Sequence, residues 1–129
     1  MTSGVKYDKD KTPIVRGVLQ YFPRALAAIA EVSAAGAEKY AWDGWRTVPD
    51  GVIRYTDALG RHLLAESFGP IDDGPGGTGC LHASQVAWNA LARLELMLEQ
   101  SEDTPGNTFV DDDFPEWNGT VLTAGKPGC

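Results

Sequence analysis

The polar residues of this chain that could do chemistry fall at helical intervals. Arg24, Glu31 and Glu38 follow one another at i, i+7 and i+14, so they share one helix face. Two carboxylates two turns apart can hold a metal only with help from a neighbouring helix. The plain alternative is a solvated charged face. His62 and Glu66 stand at i, i+4 and continue a stripe begun by Tyr55 and Leu59. That stripe either points inward, where ionisable groups need partners, or lies at the mouth of a cleft. A satisfied core histidine is the commoner outcome. Asp72 and Asp73 follow Glu66 in a glycine-rich stretch. His82, Gln85 and Asn89 then lie on one face of an otherwise apolar helix. Lys and Glu are the usual solvated choices there, so this stripe is either a buried inter-helix network or a surface that binds a nucleobase edge or sugar hydroxyls.

Glu31, Glu38, Glu66, Asp72, Asp73 and His82 thus offer oxygen and nitrogen ligands, and Lys11, Arg24, Lys39, Arg54 and Arg61 supply cations. Carboxylates that gather divalent ions beside Arg and Lys are what phosphoanhydride chemistry needs. Arg54 and Arg61 share a face at i, i+7, suited to phosphate oxygens. Alternatively, Asp57 and Arg61 form a surface pair at i, i+4. The run Gly74-Pro75-Gly76-Gly77-Thr78-Gly79 is no P-loop, because it lacks the terminal Gly-Lys-Ser/Thr.

Three helices must position these residues. Residues 1–21 read as an extended arm with a short turn from Ile14 to Gln20. Pro23 suits a first helical turn, and an alanine-rich periodic run continues to about Tyr40. Gly36 within it points to close packing or a kink. Residues 41–46 form a turn carrying Trp42 and Trp45, and Val48-Pro49-Asp50-Gly51 is strong turn chemistry. A second helix spans about Val52 to Ser67. Five glycines and two prolines between residues 69 and 80 exclude helix and leave a long loop. The third helix runs from near Leu81 to about Gln100, with Val86, Ala90, Leu91, Leu94 and Leu98 on a wide apolar face. The tail 101–129 is acidic and irregular, with Phe109, Phe114, Trp117 and Val121 able to dock. The expected fold is all-α, a bundle of about three helices over 1–100 with an irregular arm and tail. So small a core favours a homo-oligomer.

Composition narrows the function. The 129 residues carry 11 basic and 18 acidic side chains, a net charge of −7. That balance argues against holding a phosphate backbone, so no nucleic-acid partner is expected. No apolar run approaches the roughly 20 residues of a membrane helix, and the polar start of the chain lacks a signal-peptide pattern. Cys80 and Cys129 have no metal-site spacing and suit reduced thiols in a cytoplasmic protein.

The order of features resembles a known family. It runs Pro23-Arg24-Ala25-Leu26, Gly36-Ala37-Glu38-Lys39-Tyr40 with Trp45, Arg61-His62-Leu63 with Glu66, an Asp- and Gly-containing loop, then His82 and Ala87-Trp88-Asn89-Ala90-Leu91. Over residues 9 to 98 this is similar to a phage-encoded family described as dATP/dGTP diphosphohydrolase-like. That family is grouped with the all-α, MazG-like nucleoside triphosphate pyrophosphohydrolases. The resemblance implies an oligomeric helical bundle, in the host cytoplasm if phage-encoded. It would bind Mg²⁺ or Mn²⁺ through acidic side chains and split a nucleoside triphosphate into monophosphate and pyrophosphate. Carried over, Glu66, Asp72 or Asp73, and His82 form the site cluster, Asn89 is a positioning residue and Arg61 a phosphate contact.

On this reading Glu31, Glu38, Glu66, Asp72 and Asp73 are the metal ligands, and Glu38, Glu66 and His82 the catalytic set. Lys11, Lys39, Arg61, His62, Gln85 and Asn89 bind the nucleotide. The EExxE and ExxD strings of MazG-like enzymes do not occur. Their absence favours a rival, a non-catalytic protein that captures a nucleotide or cyclic-nucleotide signal on the same scaffold. A third reading is a helical interaction protein whose His62, Glu66 and His82 satisfy one another with no cavity.

Overall fold

Pro23 opens the first long helix at a position where its missing N–H removes no hydrogen bond. In the computed structural model, which describes residues 11–102, this helix is α1, Pro23–Lys39. The expected turn before it is a short π-helical segment, Val15–Leu19, that packs on α1. The arm before Lys11 and the tail with Phe109, Phe114, Trp117, Val121 and Cys129 lie outside the described residues. A Cβ placed on Gly36 would meet nothing within 4 Å, so no close packing requires that glycine.

The turn with two tryptophans contains a 3-10 turn, Gly44–Thr47, and leads to α2, Gly51–Ala65. Asp50 enters α2 in a left-handed conformation, φ 55°. Gly51 is buried, and a Cβ there would stand 2.7 Å from Leu96 Cδ1. The glycine lets the start of α2 approach α3, His82–Glu102, without displacing the Leu96 methyl.

Residues 66–81 connect α2 to α3 without helix. Backbone hydrogen bonds order this segment. Ile71 and Leu81 form an isolated antiparallel bridge. Asp72 N–H donates to the Cys80 carbonyl and Gly79 N–H to the Asp72 carbonyl, both at 2.8 Å, and His82 N–H donates to the Pro70 carbonyl at 2.8 Å. The loop is a closed clasp at the head of α3.

The α3 helix is central. It packs extensively along α2 and more lightly on α1. Its buried positions include His82, Gln85, Asn89, Ala92 and Leu96, a 3-4-3-4 spacing that puts them on one stripe. The first half of the stripe is polar and the second apolar. The buried apolar side chains among the described residues are Val32, Ala92 and Leu96, whereas Ile53, Leu64, Phe68 and Leu91 are exposed. No helix of the described residues is long and apolar enough to cross a membrane.

Candidate functional site

Gln85 and Asn89, from the polar half of the α3 stripe, line a cleft of about 650 Å³. One wall is α1, with Ser33 and Lys39. The other is α2, with Arg54, Tyr55, Arg61 and His62. Gln85, Trp88 and Asn89 come from α3, Trp45 from the 3-10 turn and Thr78 from the loop. The described residues lining the cleft include three cations, Lys39, Arg54 and Arg61, and no carboxylate. In a chain of net charge −7, this cavity is locally set for an anion.

Three aromatic rings build the inner end. Trp45, Tyr55 and Trp88 pack edge to face with centroids 5.6 to 6.4 Å apart, a favoured arrangement for ring quadrupoles. Tyr55 and Trp88 each place their polar handle on a partner inside the fold. Tyr55 OH donates to the Trp45 carbonyl at 2.7 Å, and Trp88 Nε1–H donates to Ser33 Oγ at 2.8 Å. The second bond ties α3 to α1 across the cleft. Burial raises the Tyr55 phenol above its ordinary value, with the nearby Arg54 partly offsetting it.

At the loop end, His62 of α2 meets His82 at the start of α3. Their Nδ1 atoms are 3.0 Å apart, with the rings tilted by 40°. Asp72 completes the group. His62, Asp72 and His82 each place one ligand atom within 4.8 Å of the others, the only such group of three or more among the described residues. The loop and α3 fix the carboxylate. Gln85 Nε2 donates to Asp72 Oδ2 at 3.0 Å, Thr78 N–H at 3.3 Å and Thr78 Oγ1–H at 3.4 Å. Burial alone would raise the Asp72 carboxyl. The Gln85 and Thr78 bonds and the two histidines outweigh it, and the group sits below its ordinary value. For His62, burial dominates and lowers the imidazole; His82 and Arg61 push the same way, against Asp72. The shift favours the neutral ring, the form that ligates a metal.

The structure gathers some of the expected site residues and leaves others apart. Lys39, Arg61, His62, Gln85 and Asn89 line the cleft. Asp72, His62 and His82 meet beside it. Glu31 and Glu38 are exposed and line neither the cleft nor the His–Asp–His group. Their shared face is the solvent face of α1, while Val32 and Ser33 turn toward α3. Glu66 is also outside the group, because α2 ends at Ala65 and the side chain of the capping residue is exposed. Asp73 is exposed as well, since its neighbour Asp72 takes the inward position of the clasp. Lys11 is half-buried and away from the cleft lining. A cluster of His62, Glu66 and His82 without a cavity is not what forms. The sequence reading passed over the ring trio, Ser33 and Thr78. A Thr directly after Gly76-Gly77 was the signal for the loop contact.

A family model described as dATP/dGTP diphosphohydrolase, N-terminal, matches residues 1–105. The chain belongs to this family. No curated protein and no solved structure matches it. The matched span holds every residue of the cleft and of the His–Asp–His group. The dATP/dGTP diphosphohydrolase family is by its description one of hydrolases acting on deoxynucleoside triphosphates.

Proposed function

We propose that the chain hydrolyses a purine deoxynucleoside triphosphate, dATP or dGTP, to the monophosphate and pyrophosphate. The observation that carries this reading is a cleft lined, among the described residues, by three cations and no carboxylate, with the His62–Asp72–His82 group at one end. Lys39, Arg54 and Arg61 hold the phosphate oxygens, and the arginines can do so through two parallel N–H bonds. Trp45, Tyr55 and Trp88 give the base an apolar, aromatic surround, and Asn89 adds a hydrogen-bonding edge. Water attacks the α-phosphorus and gives up its proton to bulk solvent, the bond from that phosphorus to the bridging oxygen breaks, and pyrophosphate leaves with the electron pair.

His62, Asp72 and His82 are the residues that would hold a divalent cation. Two imidazole nitrogens and one carboxylate oxygen form a fitting donor set, one that suits Mn²⁺ better than Mg²⁺. Such a cation supplies positive charge against the charge that develops on the phosphate oxygens. Gln85 and Thr78 keep the Asp72 carboxylate oriented for it. Lys39 Nζ donates to the Gly76 carbonyl at 2.7 Å, which joins the phosphate-binding end of α1 to the loop that carries Asp72.

The test is incubation of tag-free protein with each dNTP and either Mn²⁺ or Mg²⁺, with products resolved by anion-exchange chromatography. Equimolar monophosphate and pyrophosphate from dATP or dGTP is the expected result. Release of orthophosphate, or an intact nucleotide that co-elutes with the protein, refutes hydrolysis at the α-phosphorus.

A further inference from the structure

We infer that His62, Asp72 and His82 form a site selective for a borderline transition-metal ion of the Mn²⁺, Fe²⁺, Co²⁺, Ni²⁺ and Zn²⁺ class over Mg²⁺. This deepens the proposed function and rests on that reading for the ion's role. The binding itself is argued from the side chains alone.

The two Nδ1 atoms, 3.0 Å apart, face each other in rings whose centroids are 5.2 Å apart. Two nitrogens bound to one ion at about 2.1 Å each stand roughly 3.0 to 3.4 Å from one another, for right-angle and tetrahedral arrangements respectively. The pair already has that spacing. In a metal-free protein the same spacing means one shared proton, with one Nδ1 donating to the other. An ion that displaces this proton satisfies both lone pairs at once.

Asp72 is prepared in the same way. The hydrogen bonds that reach its carboxylate from described residues all end on Oδ2. Oδ1 receives none of them and remains an acceptor. Gln85, which holds Oδ2, is 5% exposed, and His82 is 8% exposed. Nearly buried polar side chains that orient a ligand are the usual second layer of a metal site. Gly77 adds a steric reason for the clasp, because a Cβ there would stand 2.7 Å from Oδ1. The glycine keeps the space beside this oxygen open.

The donor set decides the class of ion. Mg²⁺ requires oxygen ligands and gives up its waters reluctantly, and one carboxylate compensates that poorly. Imidazole favours the later divalent ions, and a set of two histidines and one carboxylate leaves further positions open to a substrate or water. The exposed Glu31, Glu38, Glu66 and Asp73 bring no additional oxygens to the group.

The experiment uses tag-free full chain, stripped with chelator and dialysed. Thermal unfolding is followed with Mg²⁺, Mn²⁺, Co²⁺, Ni²⁺ or Zn²⁺, and Co²⁺ is also titrated by its visible ligand-field absorption. The transition metals should raise Tm at concentrations where tenfold more Mg²⁺ does not. Asp72→Asn and His62→Gln should each weaken Co²⁺ binding about tenfold or more. His62 is half-exposed, so its variant keeps the test alive if Asp72→Asn unfolds. Equal stabilisation by Mg²⁺, or Co²⁺ bands unchanged in both variants, overturns the site. Protein that binds Co²⁺ here yet leaves dATP and dGTP intact supports the site while refuting hydrolysis. Protein that cleaves them in Mg²⁺ alone, at an unchanged rate in Asp72→Asn and with Co²⁺ bands also unchanged in that variant, refutes the site while keeping the activity.

Discussion

Replacing Gly77 by alanine isolates what the loop clasp does. The added Cβ would stand 2.4 Å from the Asp72 carbonyl oxygen, about 1 Å inside the 3.4 Å at which ordinary contact begins. The obstacle is backbone, so no rotamer change relieves it. Gly77 does not have a positive φ, so alanine's own conformational preference is not the source of strain. The loop must open instead, and the bonds at risk are Gly79 N–H to the Asp72 carbonyl and the Thr78 and Gln85 bonds to Asp72 Oδ2. At about 1 kcal/mol each, with partial loss, the cost is roughly 1–3 kcal/mol. For a chain of this size that lowers Tm by about 4–12 °C. Gly74→Ala in the same loop is the control, since its Cβ meets nothing within 4 Å. It should shift stability by no more than about 0.5 kcal/mol. Asp72 moves with the loop, so Co²⁺ affinity should also fall about tenfold in Gly77→Ala and hold in Gly74→Ala. Urea denaturation and Co²⁺ titration of both variants give the answer. Indistinguishable behaviour of the two would refute the clasp as the device that places Asp72.

Three further outcomes follow from the same geometry. Tyr55 has a raised phenol pKa, so the folded state keeps this proton longer than the unfolded chain does. Its contribution is fully present below pH 10 and lost as pH rises through the folded value; Tyr55→Phe should remove that part of the alkaline loss in denaturation curves taken between pH 8 and 11. Arg61→Gln and Lys39→Met should raise KM for dATP or dGTP by roughly tenfold, about 1.4 kcal/mol of lost phosphate contact, with stability changed by no more than about 1 kcal/mol even where the exposed Lys39–Gly76 bond is lost; a normal KM in both removes them from the phosphate set. The exposure of Ile53, Leu64, Phe68 and Leu91 leads to an expected light-scattering mass of at least two chains, and a mass of 13.9 kDa at micromolar concentration contradicts it.

Much of this arrangement is legible in the residues, and the limits have a physical origin. The helix bounds follow from Pro23, the Pro49-Asp50-Gly51 turn and the glycine-rich loop, and the structure differs from them by one or two residues. His82, Gln85 and Asn89 are legible because polar side chains on a core-spaced stripe have to meet something. Glu31 and Glu38 mislead because i, i+7 spacing tells that two residues share a face and not which face packs. Asp72 and Asp73 are chemically identical, and only the clasp decides which one turns inward. The Nδ1–Nδ1 contact joins two helices through a folded loop, and local periodicity carries no information about such a pairing. The ring trio escapes for the same reason, being drawn from a turn and two helices.

The unequal packing of the helices on α3 has a consequence for how the site is assembled and entered. His62, Asp72 and His82 all belong to the segment from α2 through α3, where contacts are close in sequence and extensive. Such a hairpin closes a shorter chain loop than a contact with α1 does, at a smaller entropic cost. The α1 wall joins α3 by a lighter interface that includes the Trp88–Ser33 bond. Its amides should therefore exchange with solvent through local openings that leave α2 and α3 protected. A nucleotide gripped by Lys39 on α1 and Arg61 on α2 would suppress those openings. The His62–Asp72–His82 group is then the permanent half of the site, and α1 is the door.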